Sequence, residues 1–476
     1  LATRVTSRAT GFRILGIAYS DATGFSVSNA GDVNGDGVAD ILVGAYRADP
    51  FSRSSAGITY VIFGRKVTSA ATAFADVDIS TVVTGSTAGF RVLGAVTNDF
   101  SGWSVSNAGD VNDDGIADII IGARAATGST GVANPGVSYV IFGKRTPFVD
   151  INLATWKTSP QTGFRIVGAA GGDALGICVS NAGDLNGDGV ADMVVSTPLA
   201  GTAGRNKAGA AYVVYGANYV AQPTSQPSTQ PSRQPSGQPS RQPSSQPSRQ
   251  PTSQPTTQPS TQPSLQYTEI QDIDVRSIPK SRGFTIAGAA ASDQSGYAVS
   301  DAGDVNGDGF GDVIVGAPYA ASNLGTSYVV FGRNTSSAVP VDLLTMVTGR
   351  YTGFRIIGAT ADDRAGSAVA AAGDVNGDGI DDLLTSSFLG DYDGRLNAGI
   401  VYVIFGRRVT SAANTFTDIN LLTMVSGAST GYRIVGGAGG NGDRHSETPP
   451  VGRRRADAKQ AACQQRCGAE AGKGCR

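Results

Sequence analysis

Five nine-residue segments of the sequence carry the same chemically active residues at the same spacing. Each has Asp at positions 1, 5 and 9, Asn at position 3 and Gly at position 6, as in DVNGDGVAD from Asp32 to Asp40. Hard oxygen donors at alternating positions, around a glycine that lets the chain turn back, are typical of calcium loops. Imidazole and thiolate ligands, which zinc or copper would favour, are absent from these segments. The pattern therefore predicts a calcium site in each segment, about five in all.

Each loop offers four side-chain ligands and the main-chain carbonyl of position 7. The predicted ligands are Asp32, Asn34, Asp36, Val38 and Asp40; Asp110, Asn112, Asp114, Ile116 and Asp118; Asp184, Asn186, Asp188, Val190 and Asp192; Asp304, Asn306, Asp308, Phe310 and Asp312; and Asp374, Asn376, Asp378, Ile380 and Asp382. A single copy would be explained equally well as a hairpin turn, because Asn-Gly and Asp-Gly are common turn dipeptides. Five copies that all keep Asp at position 9 favour the metal. Because unpaired carboxylates this close repel each other, we expect the calcium to be structural.

Four short apolar runs accompany each loop and predict β-strands. In the first unit they are GFRILG from Gly11, GFSVSNAGD from Gly24, ILVGA from Ile41 and GITYVIFG from Gly57. The loops recur with a period near 75 residues once a 45-residue insert is removed. Four strands per unit predict an all-β fold, a β-propeller of four-stranded blades. It would comprise five full repeats and the start of a sixth at GYRIVG from Gly431; a solenoid is the alternative, although its repeats are usually shorter.

Composition divides the chain into four segments. We expect propeller repeats 1–3 in residues 1–220, and repeats 4, 5 and the start of 6 in residues 266–442. Residues 221–265 repeat the unit Q-P-S/T-x, with proline at every fourth position. Such a segment cannot bury a core and predicts a disordered, extended linker. It is either a long excursion out of one propeller or a stalk between two partial propellers.

The segment from 443 to 476 shows no strand pattern, and we expect it to be unstructured. It is basic and contains the single histidine and three of the four cysteines: His445, Cys463, Cys467 and Cys475. An out-of-frame end is favoured over a genuine terminal extension, because the repeat stops abruptly. Elsewhere, Cys178 is expected to be a buried core thiol, and Asn334 begins an Asn-Thr-Ser glycosylation acceptor.

Charge and composition exclude several classes of function. Without the linker and the basic tail, 26 basic and 35 acidic residues remain, and five divalent cations would bring this net charge of −9 close to zero. A nucleic-acid partner is therefore not expected. No stretch of 18 apolar residues occurs, so no membrane-spanning helix is predicted. With one histidine, in the tail, the chain lacks material for a catalytic triad, and we expect no enzyme activity.

The repeat units resemble the FG-GAP repeats of integrin alpha-chain propellers. The resemblance rests on SGYAVSDAGDVNGDGFGDVIVGAP, from Ser295 to Pro318, and its four relatives, and it covers nearly everything except 221–265 and 443–476. It implies a propeller with its calcium loops on one face. It further implies that a protein or glycan ligand, or an integrin-like partner subunit, meets the opposite face.

The resemblance and the loop chemistry together predict an extracellular or cell-surface calcium-binding propeller for cell adhesion or ligand recognition. Loops of this kind suit the millimolar calcium found outside cells. Two alternatives remain open. One is a secreted or matrix recognition propeller without an integrin partner. The other is an accessory propeller domain of a secreted hydrolase.

Overall fold

The computed structural model describes residues 11–66, 75–128, 132–145, 147–219, 270–334, 339–349, 351–411, 415–427 and 429–437. These residues are almost entirely strands, turns and loops. Helical structure within them is limited to a four-residue turn, α1 (Ala320–Asn323), and to 3-10 turns at Pro50–Ser52, Ile79–Thr81 and Val275–Ser277. The linker 221–265 and the tail 443–476, with His445 and its three cysteines, lie outside the described residues.

The strands form five successive sheets, each with the same order. The innermost strands are β2 (Ser26–Gly31), β7 (Ser101–Gly109), β12 (Val179–Gly183), β17 (Ala298–Gly303) and β22 (Ala365–Gly373). The second strands are β3 (Asp40–Ala45), β8 (Asp118–Ala123), β13 (Asp192–Thr197), β18 (Asp312–Ala317) and β23 (Asp382–Ser387). The third strands are β4 (Ile58–Ile62), β9 (Val137–Ile141), β14 (Ala210–Val214), β19 (Thr326–Val330) and β24 (Ile400–Ile404).

Outer strands complete the sheets. The fourth strands are β6 (Gly89–Leu93), β11 (Gly163–Val167), β16 (Gly283–Ala287), β21 (Gly353–Ile357) and β26 (Gly431–Val435). In the first four sheets a two-residue strand follows in parallel: β10 (Ile151–Asn152), β15 (Ile273–Asp274), β20 (Val341–Asp342) and β25 (Ile419–Asn420). The strands β1 (Ile14–Leu15) and β5 (Val77–Asp78) pair only with each other. The first four strands of each sheet are antiparallel, as in Val61 opposite Phe90.

The strands that form one sheet are not the four strands of one predicted sequence unit, so the phase of the repeat, meaning the point where one unit ends and the next begins, differs from the prediction. Apart from the first, at Gly11, each GFRILG-type run is the fourth strand of the preceding sheet and does not open its own sheet. The run at Gly431, predicted to start a sixth blade, therefore completes the fifth sheet by pairing with β24. A repeating sequence has the same period wherever the unit is cut, so only the strand pairing reveals the phase. One consequence is that every sheet is completed by the next sequence unit.

The pairing also locates the linker. Strand β14 precedes residues 221–265, strand β16 follows them, and the two pair along their whole length, from Ala210 opposite Ala287 to Val214 opposite Gly283. The segment is thus inserted between the third and fourth strands of one sheet. This supports an excursion from one body, and not a stalk between two separately folded halves.

The cores lie between consecutive sheets. Leu42, Val61 and Phe90 of the first sheet pack in one buried cluster with Ile119 and Ile121 of the second sheet. Corresponding clusters join the second sheet to the third, the third to the fourth and the fourth to the fifth. The innermost strands contact one another in sequence order. The fold is therefore all-β and propeller-type, as the sequence predicts, with β-branched residues filling the spaces between blades.

Candidate metal centres and the loops opposite them

The five acidic loops all connect the first strand of a sheet to its second strand. In the first sheet the loop follows Gly31, the last residue of β2, and its position 9, Asp40, is the first residue of β3. A bulge between Asn29 and Gly31 precedes the loop, with Gly31 at a φ of 71°. Antiparallel connectivity places all five loops at one end of the sheets, together with the connections between third and fourth strands.

Each loop is held by hydrogen bonds from its own backbone to its polar side chains. In the first copy, Asp32 accepts from the N–H of Asp36 at 3.0 Å and from that of Gly37 at 2.7 Å. Asn34 accepts from the N–H of Asp36, and Asp36 accepts from that of Val38, each at 2.9 Å. In every loop, the Asp at position 1 accepts from the glycine at position 6. The spacing of polar residues thus determines the curvature of the loop.

The Asp at position 9 has a structural role that the sequence did not reveal. In the first loop it is 1% exposed, and it accepts from the N–H of Val33 at 3.0 Å and from that of Gly64 at 2.8 Å. Gly64 follows the third strand. The same two bonds recur at positions 118, 192, 312 and 382. This carboxylate therefore joins the acidic loop to the connection between the third and fourth strands of the same sheet.

Burial and like charges perturb these carboxylates. Burial raises the pKa of Asp40 to about 6; the Gly64 and Val33 N–H groups oppose this shift, while Asp36 and Asp32 add to it. Burial raises the pKa of Asp192 to about 8. The negative charge at position 9 of each loop is therefore costly as it stands, and a bound cation would stabilise the ionised form.

The donor types of the loops fit a hard divalent cation. Three carboxylates, one amide and one carbonyl per loop are oxygen ligands of the class that calcium prefers. The buried Oδ1 atom of Asn306 has no hydrogen-bond partner, which is the state expected of a ligand atom. However, no three carboxylate, histidine or cysteine side chains in the described residues converge as a metal cluster. Calcium binding at these loops therefore stays a prediction.

The loops at the opposite end have unusual backbone conformations. They connect second to third strands and fourth strands to the next sheet, and they bond to each other, as in Asn98 N–H to Ser54 O at 2.8 Å. Twenty non-glycine residues of the described chain have a positive φ, and all except Asp113 lie in these loops. Such conformations cost about 1–3 kcal/mol each and concentrate at functional sites. Tyr19 and Phe51 project fully or largely into solvent here.

Buried aspartates that were not predicted from the sequence support this second set of loops. Asp99, Asp173, Asp293 and Asp363 are each at most 8% exposed. Each accepts from the backbone N–H three residues earlier, as in Val96 to Asp99 at 2.8 Å. Burial raises the pKa of Asp99 to about 6. The recurrence of Asp six residues after the end of the GFRILG-type strand was the available signal.

Two further sequence predictions concern isolated residues. Cys178 is a buried thiol, as predicted, and its Sγ lies 3.4 Å from the backbone nitrogen of Val299 in the next sheet. Asn334 is exposed, while Thr335 and Ser336 of its acceptor motif lie outside the described residues. Its glycosylation stays a prediction.

Comparison of the sequence with known families finds a repeat whose five copies coincide with the five sheets. The FG-GAP repeat profile matches residues 23–62, 101–141, 179–214, 295–330 and 365–404. Each match covers the first three strands of one sheet and the acidic loop between the first two. The chain thus contains five FG-GAP repeats. A second profile, the PT disordered repeat, matches residues 218–255.

The FG-GAP chain is similar to integrin alpha chains and to one enzyme. It is 29% identical over 202 residues to integrin alpha pat-2 of Caenorhabditis elegans, covering 41% of this chain and 14% of that protein. It is 27% identical over 177 residues to integrin alpha-PS2 of Drosophila melanogaster, covering 34% and 12%. It is 26% identical over 200 residues to phosphatidylinositol-glycan-specific phospholipase D of Bos taurus, covering 41% and 21%. The similarity thus spans about a fifth or less of these relatives.

None of the helices in the described residues has the length and apolar character needed to cross a membrane.

Proposed function

We propose that this FG-GAP propeller is an extracellular recognition module of the integrin alpha type, stabilised by calcium in its five acidic loops. The observation that carries the proposal is the fivefold recurrence of one loop with the same oxygen donors, each in the same place between first and second strands. In each loop calcium would be held by the side chains at positions 1, 3, 5 and 9 and the carbonyl of position 7. Its charge would offset the repulsion among the loop carboxylates.

The recognition surface is proposed at the end opposite the acidic loops. All left-handed non-glycine residues of the described chain except Asp113, and the exposed Tyr19 and Phe51, are at that end. A rigid sheet scaffold that presents strained, exposed loops is a common arrangement of binding proteins. The partner would be a protein or a glycan, and an integrin-like second subunit is the partner that the integrin similarity favours.

One experiment tests both parts of the proposal. The chain is labelled and its binding to animal cell surfaces and to a glycan array is measured with calcium and with EDTA. We expect binding that is lost in EDTA and weakened at least tenfold by Phe51→Ala. Val425→Ala, a change at a similarly exposed apolar residue at the acidic-loop end, serves as the matched control. Calcium-independent binding, or equal loss in both variants, would contradict the proposal.

The similarity to phosphatidylinositol-glycan-specific phospholipase D favours a second candidate. The propeller would then serve as an accessory domain of a secreted hydrolase, with catalysis supplied by a separate domain. Binding to a glycan but not to cell-surface proteins in the same experiment would favour this candidate over the adhesion module.

A further inference from the structure

A short segment after the third strand of each sheet lies against the acidic loop of the preceding sheet. At all four joints between consecutive sheets, a backbone N–H of this segment donates to the carbonyl at position 2 of that loop. The donor and acceptor pairs are Lys144 and Val33 at 3.0 Å, Ala217 and Val111 at 3.0 Å, Arg333 and Leu185 at 2.8 Å, and Arg407 and Val305 at 2.9 Å. The contact places the next residue of the segment beside the loop. We call these four the exit residues: Arg145, Asn218, Asn334 and Arg408.

At the acidic loops of the first and fourth sheets, the exit residue is an arginine that contacts position 4. A Cβ atom placed on Gly35 would lie 2.8 Å from Cγ and 3.2 Å from Nε of Arg145. In the fourth sheet, Nη1 of Arg408 donates to the carbonyl of Gly307 at 3.0 Å. Both arginines are exposed. A guanidinium group therefore lies at the rim of each of these two loops, beside the residue that precedes the Asp at position 5.

At the loops of the second and third sheets, the exit residue is an uncharged asparagine. Nδ2 of Asn218 donates to the carboxylate of Asp113, at position 4 of the second loop, at 2.8 Å. Asn334 borders a cavity of about 390 Å³ together with Asn186 and Asp188 of the third loop. The four loops thus offer the same proposed ligands to a cation but differ in the charge at their rims.

The charge of Arg145 also acts on the loop of its own sheet. Burial raises the pKa of Asp114, at position 5 of the second loop, and the charge of Arg145 is one of the contributions that oppose this shift. Arg145 is therefore close to two loops. In the second loop the carboxylate of Asp113 offsets its charge, whereas the first loop has Gly35 at the same position. The first and fourth loops thus have a net positive charge at the rim that the second and third lack.

We infer that the exit residues set the calcium affinity of the loops, so that the first and fourth loops bind calcium more weakly than the second and third. A guanidinium group at the rim repels a divalent cation, whereas an amide does not. For exposed charges at such short range, we expect the repulsion to raise the Kd about three- to tenfold. The inference rests on the proposed calcium sites and adds an order of filling to them. As the calcium concentration rises, the second and third loops fill before the first and fourth.

The test is a calorimetric titration of the metal-free full chain with calcium, with changes of charge at the exit residues. Arg408→Gln should lower the Kd of one ion about three- to tenfold, whereas Arg408→Lys, which keeps the positive charge, should leave it unchanged. Asn334→Arg should raise the Kd of one ion by a similar factor. Asn334→Gln is its matched control, because it also removes the glycosylation acceptor but adds no charge. Both positions are exposed, so we expect melting temperatures within a few degrees of that of the wild type.

Variants that each lack one ligand assign the ions to their loops. Asp36→Ala and Asp308→Ala should each remove one weakly bound ion, and Asp188→Ala should remove one tightly bound ion. Ions of equal affinity, or equal effects of Arg408→Gln and Arg408→Lys, would overturn the inference and leave the proposed calcium sites standing. A chain that binds no calcium would overturn both the inference and the proposed sites.

Discussion

At the residue scale, the acidic loops assign different tasks to chemically identical aspartates. The carboxylate at position 5 is near the surface and accepts a backbone N–H of its own loop, as Asp36 does from Val38. The carboxylate at position 9 is buried and joins two connections of its sheet, as for Asp118 with Val111 and Gly143. Removing the carboxylate at position 5 should therefore affect metal binding, whereas removing the carboxylate at position 9 should affect the stability of the fold itself.

The second loop provides an internal control for metal binding, because it has Asp113 where the other four loops have glycine. We expect Asp114→Ala to reduce the calcium stoichiometry of the chain by one. Asp113→Gly should leave the stoichiometry unchanged, since position 4 is not a ligand in the proposed site and its φ of 59° suits glycine. Isothermal titration calorimetry of both variants measures the difference. Equal stoichiometries in the two variants would refute the assignment.

The buried carboxylate is tested in the absence of metal. Asp118→Asn puts an amide where two backbone N–H groups converge, so one donor loses its acceptor. We expect a loss of about 1–3 kcal/mol in the free energy of unfolding in EDTA. Asp114→Asn, in the same loop, should lose less than about 0.5 kcal/mol under these conditions. Urea denaturation gives both values, and equal losses would argue against the separate roles.

At the element scale, paired charges attach the short fifth strand to the fourth strand in the first, second and fourth sheets. The guanidinium of Arg91 bonds the carboxylate of Asp150, and the backbone N–H of Arg91 donates to the same carboxylate at 2.9 Å. Equivalent pairs occur at Arg13 with Asp76, Arg165 with Asp272 and Arg355 with Asp418. In the third sheet, Thr285 stands at the position of the arginine and Pro340 at the position of the aspartate. Among the four sheets that have a short fifth strand, the two charges are thus present or absent together, as expected when leaving one unpaired is costly.

The Arg91 pair predicts a pH dependence of stability. Burial alone would raise the pKa of Asp150, but hydrogen bonds from Arg91 and Thr84 hold it below its ordinary value. Its contribution to stability is therefore present above the unfolded carboxyl's pKa, about 3.9, and is lost as the pH falls through the folded value. Asp150→Asn should cost about 1–2 kcal/mol at pH 7 and progressively less below about pH 4. Thermal melts across this range measure the change. A penalty that is independent of pH would contradict the account.

The third sheet supplies the matching control for that pair. Thr285→Arg alone should be neutral or destabilising, because Pro340 offers no carboxylate. Adding Pro340→Asp should recover about 1 kcal/mol through the new pair, and a double-mutant cycle isolates the coupling. A coupling of zero would mean that the charges do not stabilise the short strand.

Much of this architecture was readable from the sequence, and the failures have specific causes. The strand runs, the five loops and the buried Cys178 were predicted, because their signals are local. The phase of the repeat was not, since the strand at Gly431 pairs with residues of the preceding unit. The second role of Asp40 was missed, because its partner Gly64 is distant in sequence. Pairing across units has no local signal in a single sequence.

At the scale of the whole molecule, the linker interrupts a sheet without dividing the fold. Sixty-eight residues separate β14 from β16, against 21 to 26 between the third and fourth strands of the other sheets. Loop length adds little to the cost of closing a connection, about 0.6 kcal/mol for each doubling. The halves of the chain on either side of the linker contribute strands to one hydrogen-bonded sheet and share its core.

Cleavage of the linker should therefore leave the two halves of the chain folded and associated. A protease site placed near Pro243 and cleaved in the folded protein should yield two fragments that co-elute in gel filtration. Deletion of 221–264, which leaves a connection of ordinary length, should change the melting temperature by only a few degrees. Fragments that separate under native conditions would show that the two halves are independent domains.

The central claim is that the five acidic loops bind structural calcium, and direct titration tests it. The metal-free chain is titrated with calcium in a calorimeter, and its melting temperature is measured before and after. Binding of about five ions, with a markedly higher melting temperature, is the predicted result. No calcium binding at millimolar concentration, with an unchanged melt in EDTA, would contradict the claim and leave the loops as turns held by hydrogen bonds alone.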